Sequence, residues 1–256
     1  MTASLAFASP ELRVGGFTLA PGVVRPAAGR VTVLIGVNGS GKSTALRAAA
    51  GLLAPSSGGV LVDGRPVHAM SAAGRAARVA MVPQRHEVGS PFTAREVVRL
   101  GKVATGGDEA AVDRAMAAAR VSALADRPFH ALSGGQQQRV VLARALAQHA
   151  PGGILLLDEA FAAVDPAEAA EAVRTVREAA AAGATVLAAT HDLALASALA
   201  DDAWLLADGR TWSFGPATEL LSRERLSAFL GIAIAAAPGQ RGAIAAADYA
   251  AMLRGP

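Results

Sequence analysis

A short glycine-rich stretch carries the residues of this chain that are best suited to chemistry. It spans residues 36–44 and follows the pattern Gly-x-x-x-x-Gly-Lys-Ser. Glycines allow a tight loop whose backbone N–H groups point at one anion, and a lysine and a hydroxyl suit phosphate and Mg²⁺. The pattern predicts a phosphate-binding loop for a nucleoside triphosphate. Its candidate residues are Gly36, Asn38, Gly39, Ser40, Gly41, Lys42, Ser43 and Thr44.

Two side chains of this loop have distinct predicted roles. Lys42 would neutralise the charge of the β- and γ-phosphates, and Ser43 would be a ligand of Mg²⁺. The alternative is a glycine-rich turn without a ligand. The motif requires a strand before the loop and a helix after it, and the sequence offers both: Val31–Ile35 is a β-branched apolar run, and a helix is predicted to open near Lys42.

Two adjacent carboxylates end a second apolar run. Ile154–Asp158 reads as a buried strand, and Glu159 follows it. Because a strand buried on both faces excludes charge from its middle, acids at its carboxyl end indicate the crevice where open α/β sheets bind ligands. Asp158 suits a role at Mg²⁺, through water, and Glu159 is the candidate that polarises an attacking water. A solvated strand end would be the simpler interpretation if the phosphate loop were missing.

The third pattern is a five-residue string before a predicted helix at 137–148. It consists of Leu132, Ser133, Gly134, Gly135 and Gln136. With the two preceding patterns, it makes the chain resemble the nucleotide-binding subunits of ATP-binding cassette (ABC) transporters, whose signature motif it matches. The resemblance implies that this string acts in trans, closing over the γ-phosphate held by a partner subunit. The expected working unit is a homodimer of ATPase chains that binds ATP and Mg²⁺.

The resemblance also assigns three single residues. Gln84 follows a predicted strand at 79–83 and would contact Mg²⁺ and water. His191 follows a predicted strand at 185–190 and would contact the γ-phosphate. Asp165 falls in the loop that contacts the partner cassette. The expected catalytic set is therefore Glu159, His191, Gln84 and Lys42, with Ser43, Gln84 and Asp158 at the metal.

Base recognition departs from the family pattern. An adenine-stacking aromatic is expected some two dozen residues before the phosphate loop, where the chain reads Arg-Val-Gly-Gly at 13–16. Phe17 is the nearest aromatic, and we expect it to belong to the core. A preference for ATP over GTP therefore follows from the resemblance alone.

Composition narrows the class of protein. The chain has 256 residues, a net charge of +3 and no cysteine, which excludes disulfides and thiolate metal sites and fits a reducing compartment. Basic residues are scattered and aromatics make up only 4%, so no nucleic-acid partner is expected. Residues 1–10 lack the basic start of a secretory signal, and no apolar stretch is long enough to span a bilayer. The histidines outside the candidate site are predicted to be surface residues that bind no transition metal: His68, His86, His130 and His149.

The order of the periodic segments predicts an α/β protein with one cassette. The expected fold is a P-loop NTPase (RecA-like) core with a mostly parallel sheet, an N-terminal antiparallel β part and an inserted α-helical subdomain. The core would take residues 1–84 and 150–230, the helical subdomain 85–149 and a C-terminal tail 231–256. Helices are predicted at 93–100, 110–124, 167–182 and 193–199, with a short one possible within the tail at 248–254. Hairpin turns are predicted at Asp63-Gly64 and Asp208-Gly209.

Several local strings favour one branch of the family. Residues 82–84, 90–101, 220–221 and 229–231 are similar to the importer ATPases that serve iron siderophores, haem and cobalamin. The resemblance implies integral membrane permease subunits as partners, a substrate-binding protein that acts indirectly, and a peripheral position on the cytoplasmic face of the inner membrane. The alternative is a soluble cassette ATPase without a permease, such as one in iron–sulfur cluster assembly.

Overall fold

A computed structural model describes residues 2–84, 92–106, 108–148, 152–161 and 166–232. The strands within these ranges are β1 (Leu5–Val14), β2 (Phe17–Leu19), β3 (Val23–Val24), β4 (Val31–Ile35), β5 (Ser57–Val62), β6 (Arg65–Pro66), β7 (Val79–Val82), β8 (Ile154–Asp158), β9 (Thr185–Ala189), β10 (Asp202–Ala207) and β11 (Arg210–Pro216). The α-helices are α1 (Lys42–Ala49), α2 (Ala72–Ala76), α3 (Ala94–Arg99), α4 (Glu109–Ala118), α5 (Gly134–Gln148), α6 (Pro166–Ala181), α7 (Leu193–Leu199), α8 (Ala217–Leu220) and α9 (Arg223–Leu230).

The larger sheet has the strand order β11-β10-β4-β9-β8-β7. All its pairs are parallel except the β10–β11 hairpin. Its central strands β4, β8 and β9 are buried along their whole length, because helices cover both faces. Alternate residues of β8 point to opposite cores: Leu155 and Leu157 to one, and Ile154 and Leu156 to the other. The predicted mostly parallel sheet is confirmed.

A smaller antiparallel sheet is built mainly from the N-terminal residues. Its order is β2-β1-β5-β6, and β3 also pairs with β1. Helix α1 lies between this sheet and the larger one, where its Leu46 is fully buried. Phe7 of β1 and Trp204 of β10 meet edge to face with ring centroids 4.9 Å apart. The phosphate loop is thus attached to a helix held from two sides.

Helices α3, α4 and α5 pack together and contribute to the core on the other face of the large sheet. Helix α5 begins at Gly134, three residues before the predicted start. The reason is the reciprocal cap in which Ser133 Oγ accepts from the N–H of Gln136, and the side chain of Gln136 accepts from the N–H of Ser133.

The predicted helix at 110–124 is interrupted after Ala118, and Ser122–Leu124 forms a separate 3₁₀ turn. Helix α4 ends at Ala118, because Arg120 takes a left-handed backbone with φ of 57°. Contacts with distant segments hold Arg120 there. Its carbonyl accepts from Arg139, and its guanidinium pairs with Glu171 and Glu178 of α6. A helical pattern in the local sequence carries no information about these partners.

Both predicted hairpin turns are confirmed. Val62 pairs with Arg65 across Asp63-Gly64, and Ala207 pairs with Arg210 across Asp208-Gly209. All four turn residues have positive φ, as a tight hairpin turn requires. His68 and His130 are exposed, whereas His86, His149 and the segment 233–256 lie outside the described residues. Within the described ranges, no helix combines the length and hydropathy needed to cross a bilayer.

The cap of α3 gives a prediction about stability. Thr93 Oγ1 accepts from the N–H of Glu96, and the carboxylate of Glu96 accepts from the N–H of Thr93. We expect Thr93→Ala to lower the free energy of unfolding by about 0.5–2 kcal/mol, because both N–H groups lose their partners or their geometry. Urea denaturation of the full chain measures this loss. Thr218→Ala, at an exposed position inside α8, is the matched control, and an equal loss in both variants would contradict the capping role.

Candidate active site

The phosphate loop connects β4 to α1, and two of its glycines are required by close contacts. A β-carbon at Gly36 would collide with the carbonyl oxygen of Leu206 and with the Oγ of Ser40. Gly41 caps the N-terminus of α1 in a left-handed conformation, with φ of 106°. The loop therefore turns tightly under the first N–H groups of α1, which point out of the helix and suit an anion.

Lys42 is buried within this loop. Its ammonium group donates to the carbonyl oxygens of Gly36, at 2.8 Å, and Val37, at 3.3 Å. Burial lowers the pKa of Lys42, while the nearby carboxylates of Glu159 and Asp158 act in the opposite direction. The ammonium group thus has little contact with solvent. When a phosphate is bound, its oxygens can replace the two carbonyl oxygens as acceptors.

Ser43 and Asp158 meet at the end of β8. The hydroxyl of Ser43 donates to Oδ1 of Asp158 at 2.9 Å. Burial raises the pKa of Asp158, the charge of Glu159 raises it further, and the bond from Ser43 opposes both. A hydroxyl and a carboxylate are the hard oxygen ligands that Mg²⁺ accepts, so the donor set fits the metal expected from the sequence.

Three predicted residues converge at the carboxyl ends of neighbouring parallel strands. Gln84 follows β7, Glu159 follows β8 and His191 follows β9. Gln84 Nε2 donates to Oε2 of Glu159 at 2.8 Å, and Nδ1 of His191 lies 3.5 Å from the same oxygen. One carboxylate oxygen thus has two polar neighbours.

The backbone of Glu159 is in the left-handed region, with φ of 47°. Its N–H donates to the carbonyl of Ala189 at the end of β9, which completes the last pair of the β8–β9 ladder, Asp158 with Ala189. A glutamate in this conformation is uncommon and marks a position where the surrounding structure sets the backbone. The chain turns at Glu159 as it leaves β8, and the side chain of Glu159 lines the same cavity as the phosphate loop.

A cavity of about 1020 Å³ joins these parts. Its lining includes the predicted residues Gly36, Asn38, Gly39, Gly41, Lys42, Ser43, Thr44, Gln84, Glu159 and His191. Ser40 is a buried residue of the phosphate loop, and Asp158 lies next to Ser43. One elongated ligand can therefore contact the loop, the hydroxyl of Ser43 and the carboxylate of Glu159 at the same time.

Residues 132–136 lie elsewhere. Among the described residues that line the cavity, none comes from this string, which stands at the N-terminus of α5. Leu132 is buried there, and its carbonyl accepts from the side chain of Gln137. Asp165, predicted to contact a partner, falls outside the described residues.

The sequence did not assign the hydrophobic part of the lining. Val14 and Phe17 reach the cavity from the β1–β2 hairpin, and Leu193 and Leu230 reach it from α7 and α9. Phe17 is half-buried: it packs against the core, as the sequence predicted, and it also borders the site. The signal available in the sequence was the Gly15-Gly16 pair, which places Val14 and Phe17 opposite each other at a hairpin tip.

Comparison with known proteins agrees with this geometry. The family model described as "ABC transporter" matches residues 24–162. The hemin import ATP-binding protein HmuV of Streptomyces coelicolor is 46% identical over 224 residues, which cover 85% of this chain and 79% of that protein. The cobalamin import ATP-binding protein BtuD of Halobacterium salinarum is 44% identical over 207 residues, which cover 78% of this chain and 52% of that protein.

A solved structure, the ADP conformation of an ATP-binding cassette of an ABC transporter, has the same fold. Its TM-score is 0.78 at 23% identity, with 90% of this chain and 100% of that chain covered. The predicted α/β fold of P-loop NTPase type is confirmed. The chain belongs to the ABC transporter family, as one of its ATP-binding ATPase subunits.

Gly36 gives a test of the loop geometry. We expect Gly36→Ala to weaken ATP binding by more than about tenfold and to lower stability by about 1–3 kcal/mol, because the new methyl group must displace the loop from Leu206. Gly16→Ala is the control, since its methyl group would have no neighbour within 4 Å. Calorimetric titration with ATP and thermal unfolding measure both effects. Equal ATP affinity in the two variants would show that this close contact is unimportant.

Proposed function

We propose that this chain hydrolyses Mg·ATP and thereby drives a membrane importer. The observation that carries the proposal is that Gln84 and His191 both approach one carboxylate oxygen of Glu159. This oxygen lies at the cavity that Lys42 and Ser43 also line. Phosphoryl transfer needs mainly positioning and electrostatic stabilisation, which such an arrangement supplies.

The residues have separate roles in the proposed reaction. The loop N–H groups and Lys42 bind the β- and γ-phosphates, and Lys42 leaves the carbonyls of Gly36 and Val37 to do so. Ser43, with Asp158 and Gln84, would hold Mg²⁺, which neutralises phosphate charge when bound. Glu159 accepts a hydrogen bond from the attacking water and so orients it. His191 contacts the γ-phosphate.

The signature string acts on a second copy of the chain in this proposal. Ser133, Gly135 and Gln136 open the 15-residue helix α5, whose N-terminus attracts anions. Because these residues stand apart from the cavity of their own chain, a γ-phosphate can meet them only if another copy presents it. The proposed unit is a head-to-tail homodimer in which Asp165 contributes to the contact.

The proposed transport direction and cargo rest on the relatives. Proteins named for hemin import and cobalamin import are 46% and 44% identical to this chain. We therefore assign the chain to import of an iron-siderophore, haem or cobalamin type of substrate. It would bind permease subunits at the cytoplasmic face of the membrane, and a substrate-binding protein would deliver the cargo to the permease.

Coupling would pass through the helical part of the chain. We divide the single cassette into a core of residues 1–84 and 150–230, a helical subdomain of residues 85–149 and a tail of residues 231–256. Gln84 comes shortly after β7, at the end of the proposed core, and it is hydrogen-bonded to Glu159. Loss of the γ-phosphate would therefore change the contacts of Gln84, and through Gln84 the position of the helical subdomain. This subdomain is the part of the chain that would contact a permease.

Glu159→Gln tests the catalytic assignment. We expect the ATP affinity to stay close to that of the wild type. The turnover number should fall about 10²-fold or more, because an amide orients water less well than a carboxylate and cannot accept its proton. Gel filtration with Mg·ATP should show a lasting dimer. Phosphate release measures the turnover number, and calorimetry measures the ATP affinity.

Lys42→Ala is the contrasting variant. It should lose ATP affinity itself, since it removes the charge that faces the phosphates. A Glu159→Gln variant with normal turnover would refute the assignment of the water-orienting residue. Unchanged ATP affinity in Lys42→Ala would refute the assignment of the phosphate loop.

The transport assignment predicts a membrane partner. Detergent extraction of the tagged full chain from its own cells, followed by mass spectrometry, should recover an integral membrane permease in a constant ratio to the chain. Extraction of Glu159→Gln with Mg·ATP should recover it as well. Recovery of soluble partners alone from both preparations would instead favour a cassette ATPase without a transport function.

A further inference from the structure

The ring of Phe17 lies against the phosphate loop. A β-carbon at Gly41 would be 3.0 Å from Cζ and 3.1 Å from Cε1 of Phe17, and 3.0 Å from a methyl carbon of Leu19. Gly41 is the residue whose left-handed backbone turns the loop into α1. Strand β2 therefore packs against the phosphate loop at Gly41, directly before the first N–H groups of α1.

The turn between β10 and β11 reaches the same place. The N–H of Gly209 donates to the carbonyl of Ser40 at 3.2 Å, and the carbonyl of Gly209 accepts from the N–H of Ala20 at 2.7 Å. A β-carbon at Gly209 would lie 3.2 Å from Cζ of Phe17 and would collide with the carbonyl oxygen of Thr18. The turn thus bonds to the loop on one side and to the residue after β2 on the other.

Phe17 occupies the space between these two glycines. Gly39 and Gly41 both have positive φ, and glycine reaches many other conformations at little cost. A loop of this composition keeps one shape only if its neighbours restrict it. The ring beside Gly41 and the hydrogen bond from Gly209 to Ser40 are two such restrictions, and both come from outside the nucleotide-binding motif.

We propose that Phe17 is a positioning residue of the phosphate loop. With the turn at Gly209, it holds Gly41 in its left-handed conformation, so that the N–H groups at the start of α1 already point where the phosphates bind. The proposal rests on the proposed function, because it takes the loop to bind a triphosphate. Its physical basis is preorganisation: donors held in place before binding do not have to be ordered by the ligand.

A second role for the ring can be separated by experiment. Phe17 also lines the cavity, next to Val14, and an aromatic ring there can contact a nucleotide base. Loop positioning affects every ligand that carries the phosphates. A base contact affects nucleotides only, so inorganic tripolyphosphate distinguishes the two roles.

The test compares Phe17→Ala and Phe17→Leu with Phe7→Leu. Phe7 is a fully buried aromatic of β1 that packs on Trp204 and does not line the cavity, so it controls for general loss of packing. Calorimetry gives dissociation constants for Mg·ATP, Mg·GTP and magnesium tripolyphosphate. We expect Phe17→Ala to weaken all three by a similar factor of about 10 to 100, with partial recovery in Phe17→Leu. Phe7→Leu should lower the thermal midpoint and leave the three constants unchanged.

Steady-state kinetics adds a readout that packing loss does not move. Phe17→Ala should raise KM for ATP more than it lowers kcat, because saturating nucleotide restores the loop. Gly209→Ala approaches the ring from the other side and should give the same uniform weakening. Phe17→Leu carries the test if Phe17→Ala does not fold.

Two results would overturn the proposal. Weakened nucleotide binding with unchanged tripolyphosphate binding would make Phe17 a base contact instead. Affinities in the Phe17 and Gly209 variants equal to those of Phe7→Leu would remove any role in the site. In both cases wild-type binding of Mg·ATP and its loss in Lys42→Ala would leave the proposed function standing. Failure of those two reference measurements would contradict the proposed function itself.

Discussion

The buried ammonium group of Lys42 is the constraint on which this site depends. A cation removed from water must be surrounded by acceptors, or it loses its proton or unfolds the region around it. The carbonyls of Gly36 and Val37 supply close acceptors, and Asp158 and Glu159 supply compensating charge. All four groups come from strand ends or from the loop between β4 and α1. The parallel order of β4, β9 and β8 is what brings them to one edge.

The same charge balance explains why the carboxylates are tolerated. Asp158 is buried, and its raised pKa reflects burial and the neighbouring Glu159. The hydroxyl of Ser43 and the positive charges of Arg47 and Lys42 offset part of this penalty. The arrangement therefore brings together two carboxylates and, beside Asp158, the hydroxyl of Ser43, oxygen donors that suit a divalent metal, with the cations Lys42 and Arg47 nearby. In the proposed function, Mg²⁺ and the triphosphate would bind here together.

Prediction from sequence succeeded where local patterns decide the structure. The bounds of β4, β8 and α7 were predicted as the structure has them, because buried apolar runs end at residues with a second role, such as Glu159. It failed at 119–121, where the predicted helix is interrupted, because Arg120 is set by Glu171, Glu178 and Arg139, which are distant in sequence. At the cavity, the motif residues were predicted by their types, and their roles stay predictions. The contacts of Phe17 with Gly41 and Gly209 join three separate segments, and no one of those segments contains a signal for them.

The distribution of polar groups between the two halves of the molecule argues for the two-copy arrangement proposed above. The cavity offers the N–H groups of the loop, the ammonium of Lys42 and the carboxylate of Glu159. The other polar surface, at Ser133 and Gln136, caps a different helix. The transferred γ-phosphoryl group carries its charge on three outer oxygens, and in the proposed reaction donors from a second chain would add to the contact made by His191. In the proposed two-copy arrangement, the helix N-terminus of another copy would supply further donors only when the two chains are in contact, so hydrolysis would depend on association. Contact and separation of the two chains would then be the movement that an attached membrane protein follows during the proposed cycle of ATP binding and hydrolysis.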